Sequence, residues 1–208
     1  MKFFLMAMTV LGLTGIVSAQ DQTVPVGPGS LLTYAILSDS EQVDTMHAVV
    51  IGERGPWNIF MRYTTSGETG YYAEAVSGVF DSDCISLQEP LDAALETFAS
   101  RLAEAEVGDQ VVFADDLVLE YVEVMDEFFY SDPNLGEMSI PAREFLFKFE
   151  GDDEVLRYTV AEHLKLVLAI NWGGGAEDRL ISVRTLGDDE YKPDGEDELR
   201  LACPTVFH

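Results

Sequence analysis

From Leu164 to Trp172 the chain sets Leu164, Leu166, Leu168, Ile170 and Trp172 two residues apart. Apolar side chains at a period of two share one face of an extended strand, whereas a helix needs steps of three and four. The other face of this segment reads His163, Lys165, Val167, Ala169 and Asn171. The same alternation recurs along most of the chain. Leu32, Tyr34 and Ile36 mark one strand, turned by Asp39-Ser40-Glu41, and Met46, Ala48 and Val50 mark the next, ended by Gly52-Glu53-Arg54-Gly55-Pro56. Trp57, Ile59, Met61 and Tyr63 form a third, ended by Thr65-Ser66-Gly67, and Tyr71 to Phe80 carries a fourth. Val111 and Phe113, then Leu117, Leu119 and Tyr121, then Phe145, Phe147 and Phe149, then Leu156, Tyr158 and Val160 repeat the pattern. Leu180 to Leu186 is a further strand, and Leu199 to Cys203 reads as the last. Asp132-Pro133-Asn134-Leu135-Gly136, Gly151-Asp152-Asp153 and Gly173-Gly174-Gly175 supply loops and turns. Short strands punctuated in this way define an antiparallel meander.

The period changes once. After Pro90 the apolar positions are Leu91, Ala94, Leu95, Phe98, Ala99 and Leu102, with Glu96, Arg101 and Glu104 between them. Those steps mark one face of an amphipathic helix near residues 91–106, opened by Pro90 and ended by Gly108. The expected fold is therefore α+β and mainly antiparallel β, with about nine or ten strands closing into a sandwich or an open barrel. The strand rhythm of the two halves is similar, but their residues do not repeat.

Residues 1–19 read as an address. Lys2 precedes an apolar run from Phe3 to Ile16, and Val17-Ser18-Ala19 supplies small residues for cleavage after Ala19. The run is shorter than the roughly 20 apolar residues a spanning helix needs. This predicts export, either secretion or delivery to a periplasm, with no stable membrane insertion after cleavage. Residues 20–29 are rich in Pro and Gly and read as an extended lead-in. Residues 30–208 form one β-rich domain with an acidic loop at 187–198. In an oxidising compartment the two mature cysteines, Cys84 and Cys203, are most simply one disulfide joining the middle of the chain to its end. Two buried thiols are the alternative.

Charge narrows the partners. The chain has 12 Lys plus Arg against 38 Asp plus Glu, a net charge of −26. Phosphate backbones would be repelled, which argues against nucleic acid. With 47% hydrophobic and 11% aromatic residues the chain is no acidic disordered tail. The acids are unevenly placed: no Lys or Arg lies between Arg101 and Arg143, while that stretch holds Asp115, Asp116, Glu120, Glu123, Asp126 and Glu127 among others. A solvated face that keeps the protein soluble is the plain reading. The sharper one is a negative surface for a basic protein or peptide, with Phe128 and Phe129 as anchors. In the acidic loop, Asp188, Asp189, Asp194 and Asp197 offer oxygen ligands for a weak surface Ca²⁺ site, although Lys192 spoils the EF-hand spacing. No other cofactor is implied.

No catalytic motif stands out. There is no G-x-S-x-G and no HExxH, and Cys84 follows Asp81-Ser82-Asp83, whose charge would raise a thiol pKa. His47 and His163 read as structural or surface histidines. These features point to an exported, non-catalytic binding module that captures a basic partner on its acidic surface. The first alternative is a carrier of an apolar small molecule inside the β-domain, its cavity lined by the Leu164 row, the Phe145 row and the Leu91 helix. Those side chains would equally make a filled core. The second alternative is an enzyme of unrecognised type.

Overall fold

A computed structural model of the chain describes residues 26–54, 57–67, 69–75, 80–83, 89–113, 117–132, 136–149, 156–161, 166–187 and 190. The N-terminal address segment and the strand expected at Leu199 to Cys203 lie outside them. The described residues form eleven strands and one helix: β1 (Ser30–Ser38), β2 (Glu41–Arg54), β3 (Trp57–Thr64), β4 (Thr69–Ala75), β5 (Phe80–Asp83), α1 (Glu89–Glu104), β6 (Gln110–Phe113), β7 (Leu117–Asp132), β8 (Gly136–Phe149), β9 (Leu156–Ala161), β10 (Leu166–Gly173) and β11 (Ala176–Thr185). The mainly antiparallel β architecture with one helix is as the alternation predicts. One expected strand divides: Tyr71 to Phe80 becomes β4 and the separate β5. Strand β8 begins well before Phe145 and passes through Pro141, a residue that argues against a central strand. Pairing of β8 with β9 begins only at Arg143, so the missing Pro141 amide interrupts no bond there.

The sheet order is β5-β4-β3-β2-β1-β11-β10-β9-β8-β7-β6. Strands β1 to β5 form one meander and β6 to β11 a second. The two are joined by antiparallel pairing of β1 with β11, from Ser30 opposite Thr185 to Ser38 opposite Ala176. Strand β11 also meets β7 in parallel, Ser182 beside Ser131, so β7 to β11 close into a five-strand barrel. The first meander extends from this barrel as a curled sheet.

Helix α1 connects the two outer strands, β5 and β6. Pro90 is its second residue, Leu95, Phe98 and Leu102 are buried, and Glu96, Arg101 and Glu104 are exposed. It ends at Glu104, before Gly108. The Arg143 guanidinium donates to the Leu102 and Ala103 carbonyls, each at 3.4 Å, and so satisfies acceptors that a helix terminus leaves open. Gly108, with φ +96°, belongs to the next turn, where the Asp109 amide donates to the Glu106 carbonyl at 2.9 Å.

Two apolar clusters make the core. The first joins Leu32, Tyr34, Ala48, Val50 and Phe60 to Phe128, Tyr130, Ile140, Leu166, Leu168, Leu180 and Val183. The second packs Phe98 and Leu102 of α1 on Val111, Phe145, Phe147, Tyr158, Val160 and Val167. Neighbouring residues fall in opposite clusters, as with Val160 and Ala161, or Leu166 and Val167, so β9 and β10 are buried on both faces. The Leu164 row does not stay on one face. A register shift against β9 between Val167 and Ala169 inserts a bulge. Leu166 and Leu168 therefore face the first cluster while Ile170 packs against the second.

The hairpin turns obey local chemistry. Asp39 and Ser40 take positive φ, 50° and 68°, in the two-residue turn between β1 and β2. Gly173, Gly174 and Gly175 do the same between β10 and β11. The two turns abut because β1 and β11 are paired: the Asp39 amide donates to the Gly175 carbonyl at 2.9 Å, and a Cβ on Gly175 would strike the Asp39 carboxylate. That carboxylate can swing aside, but φ +86° at Gly175 cannot be relieved without unwinding the turn. Gly175→Ala is expected to destabilise the protein by about 1–2 kcal/mol in urea unfolding.

Candidate functional site

Where the curled sheet faces the barrel strands, the two clusters leave a cavity of about 130 Å³. Its walls are Tyr34 of β1, Met46 and Ala48 of β2, Phe60 and Arg62 of β3 and Glu74 of β4, facing Tyr158 of β9, Val167, Ile170 and Trp172 of β10 and Asp178 of β11. The cross-strand register explains part of this constellation. Tyr158 is opposite Ile170 and Ile170 opposite Asp178, so the three form one lateral row over β9, β10 and β11. Trp172 lies two residues beyond Ile170, and its indole Nε1 donates to the Asp178 carboxylate at 3.0 Å.

Tyr34 ties the two walls together. It is buried, and its hydroxyl donates to the Val167 carbonyl at 2.9 Å, reaching from β1 over β11 to β10. The acceptor lies at the bulge, where the ladder between β9 and β10 is irregular. Burial holds the Tyr34 phenol protonated by pushing its pKa far up, against the lowering effect of the Arg62 charge.

Three charged groups line the space. Arg62 is ion-paired with Glu74, and its guanidinium lies 4.9 Å from the centre of the Tyr72 ring. Arg62 is opposite Gly70 in the ladder, and Glu74 is four residues further along β4. A Cβ at Gly70 would stand 2.7 Å from the Tyr72 ring. The absent side chain lets the ring lie back over the strand, beneath the guanidinium. Asp178 is different: among the described residues no cation lies within ion-pair distance of it, and its side-chain donor is the Trp172 indole. Burial raises its pKa, opposed by that hydrogen bond and by the Arg62 charge.

The residues singled out in the sequence distribute differently. Cys84, Cys203, Asp115, Asp116, Asp188, Asp189, Asp194 and Asp197 lie outside the described residues. Glu120, Glu123 and Asp126 are on β7, with Glu123 opposite Glu144 in the register, but their side chains are not described. Glu127 is exposed. Phe128 is a core residue at 2% exposure and offers no surface to a partner, whereas Phe129 is 47% exposed. On this outer face Phe129 is opposite Ser139, and Ser131 is opposite the exposed Glu137. The described start of the acidic loop is occupied: Glu190 accepts from Arg184 at 2.8 Å and from the Gly187 amide at 3.2 Å. No cluster of three metal-ligating side chains occurs among the described residues. His47 has Nδ1 at 3.3 Å from the Thr33 hydroxyl and its ring against Tyr63. Phe98 and Leu102 of the helix and Phe145 and Phe147 of the Phe145 row fill a core instead of lining the cavity; among the described residues of the Leu164 row, Ile170 and Trp172 reach it. Sequence reading missed Arg62, Glu74 and Asp178. Each is a charge inside an alternating strand, and only the pairing of distant strands brings the three together.

Asp178 gives a test of this geometry. An acid whose folded pKa is raised adds stability below its ordinary 3.8 and loses it as pH rises through the folded value. Asparagine cannot ionise. At pH 7 the melting temperature of Asp178→Asn is expected to equal or exceed that of the parent, the difference shrinking as pH falls towards 3 in parallel thermal melts.

No protein-family model matches the chain, and no curated protein matches it in sequence. Among solved structures, a protein of Bacteroides fragilis NCTC 9343 with a YmcC-like fold, provisionally assigned as exported, superposes with a TM-score of 0.40 at 10% identity, over 77% of this chain and 98% of that one. No helix among the described residues is long and apolar enough to cross a membrane.

Proposed function

We propose that the protein is exported and works as a non-catalytic binding module, and that its ligand is a small, largely apolar molecule held between the two meanders. Export rests on the layout of residues 1–19. The observation that carries the ligand reading is the cavity of about 130 Å³, walled by Tyr34, Phe60, Tyr158 and Ile170, into which a few polar groups converge. An apolar space of roughly 150 Å³ is enough for a molecule of benzene size. Benzyl alcohol added at millimolar concentration should raise the melting temperature of the mature protein. Ala48→Leu, which fills the space from the β2 side, should abolish that rise while leaving the protein folded. An unchanged melting curve with the parent protein sinks the ligand reading.

A second reading keeps the acidic surface. Phe129 stands 47% exposed on the outer face of the β7–β8 hairpin. Glu127 precedes it by two residues on that strand, and the exposed Glu137 is the second residue of the facing one. An aromatic within a negative field suits capture of a basic protein or peptide, with the field speeding encounter and the ring supplying buried contact. A fluorescent peptide of alternating Lys and Leu should bind at 20 mM salt, weaken several-fold at 300 mM, and weaken again with Phe129→Ala. Salt-insensitive binding, or binding indifferent to Phe129, removes this reading.

A further inference from the structure

The formal charges around the cavity do not cancel. Arg62 contributes one positive charge and Glu74 and Asp178 one negative charge each. Arg62 and Glu74 satisfy one another, and the guanidinium is further held over the Tyr72 ring at 4.9 Å. An anionic ligand would meet the negative charges of Glu74 and Asp178 in the same space. Asp178 has acceptor capacity to spare. A carboxylate offers about four lone-pair sites, and the side-chain donor it meets is the single indole N–H of Trp172 at 3.0 Å. It is half-buried, so water satisfies it poorly, and the desolvation that raises its pKa would be offset by a bound positive charge. Four aromatic rings, Tyr34, Phe60, Tyr158 and Trp172, surround the same space. Ring faces attract cations most strongly where water is excluded. Trp172 remains 44% exposed, which places it at the mouth.

We infer that the cavity is a site for a small organic cation, an alkyl- or arylammonium ion, whose charged head meets Asp178 beside Trp172 and whose apolar body lies against Phe60, Tyr158 and Ile170. This rests on the reading of the cavity as a ligand site and names its ligand class. The cavity of about 130 Å³ is slightly smaller than the roughly 150 Å³ that holds benzene, so it admits an apolar body of about six heavy atoms with the charged head at the mouth. The charge at Asp178 selects a cation over its neutral isostere, and the aromatic walls select against inorganic cations, which keep their hydration.

Benzylamine, benzyl alcohol and benzoate share a ring and differ in charge. Titrated into the full mature protein at pH 7 and followed by amide chemical shifts in NMR, benzylamine should bind at least tenfold more tightly than benzyl alcohol, and benzoate should not bind. Asp178→Asn should bring benzylamine down to the level of the alcohol. Trp172→Leu should weaken benzylamine more than the alcohol, which separates loss of the cation contact from loss of fold. Equal binding of amine and alcohol overturns the cation inference and leaves the apolar cavity standing. An amine preference that persists in Asp178→Asn overturns the assignment of the head group. Binding of none of the three overturns both the inference and the ligand reading beneath it.

Discussion

The pairing of β1 with β11 is the constraint on which the rest of the molecule depends. It joins the first described strand to the last over the whole length of β1, from Ser30–Thr185 to Ser38–Ala176. Without it the chain would be two separate meanders, each with an unpaired edge at the junction. With it, one face of the first meander is laid against the barrel strands, and Tyr34 can reach over β11 to the Val167 carbonyl. The adjoining turns at Asp39–Ser40 and Gly174–Gly175 pin the same seam at its end through the Asp39–Gly175 hydrogen bond. Leu186 and Gly29 extend it at the other end, where the Leu186 amide donates to the Gly29 carbonyl at 2.8 Å.

The cavity follows from that seam. Strands β9 and β10 are covered on both faces, by the first apolar cluster on one side and by the second, which includes residues of α1, on the other. The bulge after Val167 changes which face Ile170 and Trp172 present, and so turns two members of an apolar row towards the space beside Asp178. Interiors normally pack without voids and without unpaired carboxylates. A half-buried Asp178 with no cation within ion-pair distance among the described residues, at the edge of an aromatic-walled space, departs from both tendencies at one place. That coincidence gives the cavity more weight as a site than its modest size alone would.

Much of the architecture was legible in the residues. Period-two alternation placed β1, β2, β3, β9, β10 and β11, and the single change to steps of three and four located α1 with the correct buried face at Leu95, Phe98 and Leu102. Errors came where a long-range interaction overrode a local signal. The helix stops at Glu104, where Arg143 caps it from β8, so the glycine four residues later was a misleading stop. Phe128 and Phe129 look alike in a run of aromatics, but only one of two neighbours on a strand can face water, and a bulge between Met125 and Phe128 decides which. The charges of the cavity went unread because Arg62, Glu74 and Asp178 come from three strands, and nothing in their local sequence separates them from surface charges.

The strands, the helix and the hairpin turns follow from local sequence, because each rests on interactions between residues a few positions apart: alternate faces, helical steps, and the positive φ that Asp39, Ser40 and the three glycines tolerate. The tertiary structure decided which strands are neighbours, where the barrel closes through Ser131 and Ser182, and which charges meet around the cavity. A period of two states which face a side chain takes but not which strand lies beside it. That choice belongs to pairings between residues far apart in the chain, and the site is built entirely from them.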